Sequence, residues 1–311
     1  MARKKRISAK SPDKLAKQLA RRGPHKVLRG DLGIVGMHGQ VFTPADAGRY
    51  PAVAFGHGWL SSAKRYRDLL YHFASWGIVV AAPDDQKGVL ASDVGLAADL
   101  RAAAAVVSNY SLGTGEVTVD RDRIGVIGHG FGAAAAVIAA SDEQLLGQEA
   151  LALRSVVALF PAPTTDALPK AAATATAPCL ILTGARELDN VDANALALAR
   201  DYAGDVALRT IPKATRADIV ARPSIKSLIG LSAVDRKLHS TVRAISTGFL
   251  LYTLTGDPQY AGFTDPEAQI GKTTVVDVEE PPEERLDSVS RLFGAKSSGA
   301  GRQLLAKSPV R

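Results

Sequence analysis

Short apolar runs alternate with amphipathic stretches along most of the chain. Residues 78–82 (IVVAA) and 179–182 (CLIL) are apolar at every position, which is typical of strands buried on both faces of a sheet. Such runs predict strands at residues 27–35, 40–43, 52–55, 78–82, 123–127, 155–160, 178–183 and 206–211. The stretches between them predict helices near residues 64–75, 93–109, 131–140 and 191–203, and a last helix near 234–254.

This alternation of strands and helices indicates the α/β class. Strands that are each followed by a helix form right-handed crossovers, so we expect a mostly parallel central sheet of about eight strands with helices on both faces. The first two strands have no helix between them and therefore predict an antiparallel edge.

The segments at the two ends of the chain differ in composition from the segment between them. Residues 1–26 predict a basic, largely disordered tail, with a short amphipathic helix that begins at Ser11-Pro12, where Ser is the N-cap and Pro the first helical residue. Residues 27–268 form the predicted domain. Residues 269–311 are rich in Pro, Glu, Ser and Gly and predict a mobile C-terminal tail.

The net charge is concentrated near the N-terminus. The 311 residues carry a net charge of +7, but residues 1–30 contain eleven Lys or Arg and one acid, so the remainder sums to −3. A basic block of this kind predicts non-specific binding to an acidic protein face, an anionic membrane surface or nucleic acid. A solubilising tail without a specific partner is the alternative.

The cysteine count and the hydropathy indicate a cytoplasmic protein. The single cysteine, Cys179, excludes an internal disulfide. No apolar run reaches the ~20 residues of a membrane-spanning helix, and no apolar segment follows the basic residues 1–6 as in a signal peptide. We therefore expect a cytoplasmic chain, peripheral at most at a membrane surface. The six histidines show no metal-ligand spacing, so neither a metal nor another cofactor is predicted.

A glycine-rich turn at residues 128–132 (GHGFG) joins a predicted strand to a predicted helix. Gly128, Gly130 and Ala133 satisfy the G-x-G-x-x-A pattern of a dinucleotide site. That fingerprint also requires an acid at the end of the following strand, and this strand ends at Leu159-Phe160-Pro161 without one. Nucleotide binding is therefore only a distant alternative.

The same turn also fits the G-x-S-x-G nucleophile elbow of hydrolases. Together with AVAFGHGW (52–59), WGIVVAAPDD (76–85), VDRDRIGVIGH (119–129), residues 178–189 and FLLYTLTGDPQY (249–260), it resembles the α/β-hydrolase superfamily. The resemblance is narrower to the dienelactone hydrolase, chlorophyllase and cutinase-like esterase group, and it spans residues 28–264.

The resemblance implies a catalytic triad, which is degenerate in this sequence. The nucleophile position holds Gly130, which has no side chain and cannot form an acyl-enzyme. The histidine position holds Arg216, whose guanidinium stays protonated and cannot act as a general base. Asp189 or Glu187 occupies the acid position, and spacing does not choose between them.

The resemblance also implies a surviving pocket at the elbow. The backbone N–H groups of His57 and Phe131 match the oxyanion-hole positions. Trp59 and His129 are candidates for lining the cleft, although Trp59 could equally cover the end of the sheet, and packing behind the turn is the ordinary role of a residue at the position of His129. A small carboxylate or ester is the predicted ligand.

These residues favour a pseudoenzyme that binds or scaffolds over an enzyme. The alternative is an active serine-type carboxylic-ester hydrolase of the dienelactone hydrolase or cutinase-like type, in which the triad lies elsewhere or Gly130 was introduced by engineering.

Overall fold

The computed structural model describes residues 11–190, 192–220 and 233–280, and for residues 233–235 it describes the backbone alone. The chain divides into a compact unit, Met1–Val275, and a second unit, Val276–Arg311, of which residues 276–280 are described. The helices are α1 (Pro12–Leu19), α2 (Arg67–Ser75), α3 (Asp93–Asn109), α4 (Phe131–Ala139), α5 (Ala167–Ala172), α6 (Ala195–Asp201) and α7 (Ala233–Thr255). The strands are β1 (Val27–Asp31), β2 (Gly39–Pro44), β3 (Gly48–Gly56), β4 (Val79–Pro83), β5 (Val117–His129), β6 (Ser155–Leu159), β7 (Cys179–Gly184), β8 (Val206–Ile211) and β9 (Thr274–Val275).

The nine strands form one sheet in the order β1-β2-β4-β3-β5-β6-β7-β8-β9. Strands β3 to β8 run parallel to one another. Strands β1 and β2 form the predicted antiparallel edge, in which β2 also pairs antiparallel with β4, and β9 pairs antiparallel with β8. The predicted α/β class and mostly parallel sheet are confirmed. The ninth strand lies within the predicted C-terminal tail, so the compact unit extends beyond the predicted boundary at residue 268.

Alternate residues of the strands face two separate layers of helices. Val53 and Phe55 of β3 and Ile127 of β5 belong to one buried cluster with side chains of α1, α2 and α7. The intervening Ala52 and Ala54 are equally buried on the opposite face, because successive strand residues point to opposite sides. Helices α3, α4, α5 and α6 contact one another in sequence. All helices of the described residues are too short or too polar to cross a membrane.

Helix α1 is part of the fold. The predicted amphipathic helix is present, and its Leu15 and Leu19 are 2% and 0% exposed where α1 packs against α7. The Asp13 carboxylate accepts a hydrogen bond from the Gly271 N–H at 2.6 Å, and the Trp76 indole N–H donates to the Arg21 carbonyl at 2.9 Å. Residues 11–26 therefore pack on the domain instead of extending a disordered tail. The predicted tail residues 1–10 and 281–311 lie outside the described residues.

Two further elements differ from the sequence predictions. The predicted strand 27–35 ends at Asp31, because the Asp31 side chain accepts a hydrogen bond from the Gly33 N–H and caps a 3-10 turn over Leu32–Val35. Helix α5 was not predicted. It has six residues and contains a proline, so it lacks the apolar periodicity on which a sequence prediction depends.

Candidate functional site

Strand β5 and helix α4 meet at Gly130, which lies between His129 and Phe131. Gly130 has φ +57° and ψ −115°, a conformation that costs a residue with a side chain on the order of 1–3 kcal/mol. A G-x-S-x-G elbow imposes this kind of strained strand-to-helix turn on its nucleophile. The backbone at residue 130 therefore has the form of an elbow, although no nucleophile stands there.

Close packing explains the two flanking glycines but not the central one. A Cβ at Gly128 would lie 1.9 Å from the Gly132 carbonyl oxygen, and one at Gly132 would lie 2.2 Å from the Gly56 carbonyl oxygen. A Cβ at Gly130 would meet only the Arg216 side chain, at 3.2 Å from its Cδ. Packing thus excludes a side chain at positions 128 and 132, whereas at 130 it requires only a small shift of a flexible arginine.

Arg216 follows β8 and reaches the elbow from the other side. Its backbone N–H donates to Glu187 Oε2 at 2.9 Å, and its guanidinium Nη1 donates to the Asp192 carbonyl oxygen. Thr215 and Asp218 form a capping box around the short 3-10 turn that begins at Arg216. Three residues predicted from the resemblance, Gly130, Arg216 and Glu187, are therefore brought together, as the order of the motifs implied.

The two candidates for the acid position have different surroundings. Glu187 is half-buried. Burial raises its pKa, while the backbone N–H and the charge of Arg216 act in the opposite direction and Asp218 and Asp192 add to the rise. Asp189 is exposed. The structure therefore holds Glu187 against the residue in the histidine position, and the assignment of a triad role to either acid stays a prediction.

His129 is locked into a buried hydrogen-bonded chain behind the turn. Its Nε2 lies 3.0 Å from the Arg216 carbonyl oxygen, which can only accept, so Nε2 carries the proton. Its Nδ1 accepts from the Tyr66 hydroxyl at 2.8 Å, and that hydroxyl accepts from the Gly58 N–H at 3.1 Å. Burial lowers the pKa of His129 to about 3. Both ring nitrogens are engaged, so His129 supports the Arg216 loop and has no free nitrogen for proton transfer.

His57 lies beneath the site. Its side chain is fully buried, with Nε2 3.7 Å from Asp84 Oδ1, and burial lowers its pKa. Trp59, two residues later, and Phe131 line the cavity, and His57 is not among its lining residues. Phe131 is the first residue of α4, so its N–H has no partner within the helix. The proposed oxyanion role of the His57 and Phe131 backbone stays a prediction.

A cavity of about 790 Å³ opens above Gly130. Among the described lining residues Arg216 is the cation, and Asp93 and Asp192 are the acids. Burial raises the pKa of Asp93, but hydrogen bonds from Thr165 and Val94 outweigh burial and hold the pKa below its ordinary value. The cavity is therefore of mixed charge, not uniformly positive.

Asp93, Thr165 and Leu90 form a part of this wall that the sequence did not predict. Asp93 begins α3, and its carboxylate accepts from both the N–H and the hydroxyl of Thr165. Leu90 precedes that helix in the loop after β4. The only local signal was a polar N-cap at Ser92, which predicts a helix start and says nothing about a cavity.

The comparisons with known proteins agree with this architecture. Residues 38–187 match the model of the Chlorophyllase family, a segment that runs from β2 to Glu187 and includes the whole elbow. Arg216 and α7 lie beyond it. No curated protein matches the chain. The match over residues 38–187 is a similarity to the Chlorophyllase family, and the resemblance to the α/β-hydrolase superfamily, in the dienelactone hydrolase, chlorophyllase and cutinase-like group, is confirmed.

Proposed function

We propose that this chain is an α/β-hydrolase-fold pseudoenzyme that has lost ester hydrolysis and uses its cleft to bind a small carboxylate or ester. The observation that carries the proposal is the closeness of Gly130 and Arg216. A Cβ placed on Gly130 would lie 3.2 Å from the Cδ of Arg216. A serine hydrolase needs a nucleophile and a base within hydrogen-bond reach of each other. Here one position has no side chain and the other carries a permanent cation.

Among the residues that the structure describes, the others around the cleft offer no replacement pair. The Ser92 hydroxyl accepts from the Gly95 N–H, and the Thr165 hydroxyl donates to Asp93, so both serve local structure. His129 has both nitrogens engaged, by Tyr66 and by the Arg216 carbonyl. Within the described residues, no hydroxyl of the cavity wall forms a hydrogen bond with a histidine.

Ester hydrolysis tests this proposal directly. We would measure turnover of short-chain p-nitrophenyl esters by the unchanged chain, by Gly130→Ser and by Gly130→Ser/Arg216→His. The unchanged chain should not hydrolyse the esters above the uncatalysed rate. The double variant should regain turnover, because Arg216→His removes the guanidinium that crowds a serine side chain and supplies a base beside Glu187. Gly130→Ala/Arg216→His is the matched control, since it fills the same space without a nucleophile.

The alternative function, an active carboxylic-ester hydrolase, is favoured by the family match and by the elbow conformation at residue 130. Turnover by the unchanged chain in the ordinary range of about 1–10³ s⁻¹ would establish that alternative and refute the pseudoenzyme. Nucleotide binding, the distant alternative, predicts a rise in melting temperature with NAD or ATP.

The basic N-terminal residues carry a second part of the proposal, a cytoplasmic scaffolding role. Because residues 11–26 pack on the domain, a truncation that begins at Ser11 removes the five Lys and Arg of residues 1–10 without touching α1. The truncated chain should keep its melting temperature and bind anionic vesicles or an acidic protein more weakly, with the difference lost at high salt. Binding that is independent of salt would contradict an electrostatic tail.

A further inference from the structure

We infer that the ligand of the cleft is an amphipathic monocarboxylate, whose carboxylate binds Arg216 and whose apolar chain lies along Trp59 and Leu90. This inference rests on the proposed function, because it assumes a cleft that binds without turnover. It narrows the ligand from any small carboxylate or ester to an anion that carries an apolar chain.

Two exposed apolar side chains line the cavity, and each has an exposed apolar neighbour in the chain. Trp59 and Leu60, in the loop after β3, are 55% and 50% exposed. Val89 and Leu90, in the loop between β4 and α3, are 70% and 95% exposed. Trp59 and Leu90 line the same cavity. Exposed large apolar side chains that line a cavity mark a ligand groove more often than an ordinary surface.

The same cavity also presents a cation. Arg216 lines the cavity beside Gly130, and the guanidinium has five N–H donors, one of which donates to the Asp192 carbonyl oxygen. Asp93 also lines the cavity, but the residue is only 2% exposed, and its carboxylate accepts hydrogen bonds from Thr165 and Val94. The Asp93 charge is therefore already stabilised by protein donors, and Asp192, the other acid of the lining, is exposed to solvent, whereas the Arg216 cation faces the elbow.

The missing side chain at position 130 makes room for the head group. No Cβ stands between Arg216 and the N-terminus of α4, and the Phe131 N–H at that terminus lacks an intrahelical partner. A carboxylate has two oxygens, one for the guanidinium and one for this N–H, and each would make a charge-assisted hydrogen bond. An ester carries no charge and gains less from the same donors. The geometry therefore favours the free acid over its ester.

The cavity size agrees with a ligand of this kind. A volume of about 790 Å³ lies within the range of ligand pockets, roughly 300–1,000 Å³. A straight-chain acid of six to ten carbons would extend from Arg216 toward Leu90. Each methylene that is buried contributes about 0.8 kcal/mol, so affinity should rise about fourfold with each added carbon until the chain leaves the mouth.

Calorimetric titration of the full chain with sodium n-alkanoates from butanoate to decanoate, below their micellar concentrations, tests both ends of the ligand. We expect about fourfold tighter binding per methylene and at least tenfold tighter binding of octanoate than of methyl octanoate or octylamine. Arg216→Gln should abolish the preference for octanoate over its methyl ester. Leu90→Ser should reduce the gain per methylene and leave that preference unchanged. Arg29→Gln, on the exposed edge strand β1 away from the cavity, is the matched control for loss of one cation.

The inference is overturned by any of three results. Methyl octanoate could bind as tightly as octanoate, Arg216→Gln could keep the preference, or affinity could be independent of chain length. Hydrolysis of p-nitrophenyl esters by the unchanged chain would instead refute the proposed function, so the two failures are measured in different assays and are distinguishable.

Discussion

We predict that His72 makes the free energy of unfolding fall in acid. It lies in α2, is 1% exposed, and neither of its ring nitrogens has a hydrogen-bond partner. Burial lowers its pKa to about 4. The cations Arg243 and Arg22 add to the lowering, while the Leu19 carbonyl acts against it. Helices α1, α2 and α7 meet around this imidazole, which is held neutral.

The sign and size of this change in the free energy of unfolding follow from the number of protons that the folded and unfolded chains bind. In the unfolded chain the pKa of His72 returns to about 6.5. Between pH 6.5 and 4 the unfolded chain binds a proton that the folded chain does not, so the free energy of unfolding falls as the pH falls. One proton corresponds to about 1.4 kcal/mol per pH unit, or about 3 kcal/mol over this window. Above pH 6.5 both states are neutral and the contribution is fully present.

Urea unfolding at pH 7 and pH 4.5 measures this contribution. His72→Gln and His72→Leu cannot titrate, so each should lose about 2–3 kcal/mol less between these two pH values than the unchanged chain. The other groups that titrate in this range, His129 and Asp99 among them, are present in all three chains and cancel in the comparison. The reasoning is refuted if both variants lose as much stability as the unchanged chain, whatever their absolute stabilities.

Three other substitutions test the packing around the site. Tyr66→Phe leaves buried polar partners such as His129 unsatisfied, and should lower the unfolding free energy by about 2–4 kcal/mol and the melting temperature by roughly 5–10 °C in calorimetry. Gly128→Ala should cost more than about 4 kcal/mol or prevent soluble expression, whereas Gly88→Ala, with its nearest neighbour at 3.9 Å, should match the unchanged chain in both yield and unfolding. Leu19→Ala should cost about 2–5 kcal/mol in urea, and a loss below about 0.5 kcal/mol would contradict the docking of α1.

The sheet could be predicted from the sequence because its signals are local. Runs that are apolar at every position give the buried parallel strands, and the absence of a helix between the first two strands gives the antiparallel edge. The glycine spacing from 128 to 132 gives the turn, because Gly130 has a positive φ and Gly128 packs against the carbonyl of Gly132, four residues later. These features depend on neighbours in the chain, so a single sequence contains the information.

The remaining features depend on partners far along the chain. Leu15 and Leu19 predict an amphipathic helix, but the elements that α1 packs against, α7 and the 3-10 turn Pro258–Phe263, lie more than 200 residues later in the chain. The hydrogen bond between Glu187 and Arg216 depends on how the loop after β7 meets the loop after β8, where a Cβ at Gly184 would lie 2.1 Å from the Ala214 carbonyl oxygen. Such contacts between loops have no periodic signature in a sequence.

Three residues of the elbow motif each have a structural role that is independent of catalysis: Gly128, His129 and Gly132. Gly128 and Gly132 are glycine because the backbone of α4 packs against β3 and β5 without room for a side chain. His129 links Tyr66 to the Arg216 carbonyl. A retained elbow motif is therefore weak evidence for retained hydrolysis.

Function is read more reliably at the positions where packing leaves a choice. At residue 130 a Cβ would meet only the Cδ of a flexible arginine at 3.2 Å, so a serine could be accommodated at a conformational cost of about 1–3 kcal/mol. At residue 216 the backbone N–H and carbonyl make the hydrogen bonds to Glu187 and His129, so the side chain is not fixed by them. The fold would accept a nucleophile and a base at these two positions. Under the proposed function, the glycine and the arginine found there leave space and a positive charge in place of the reactive hydroxyl that hydrolysis needs.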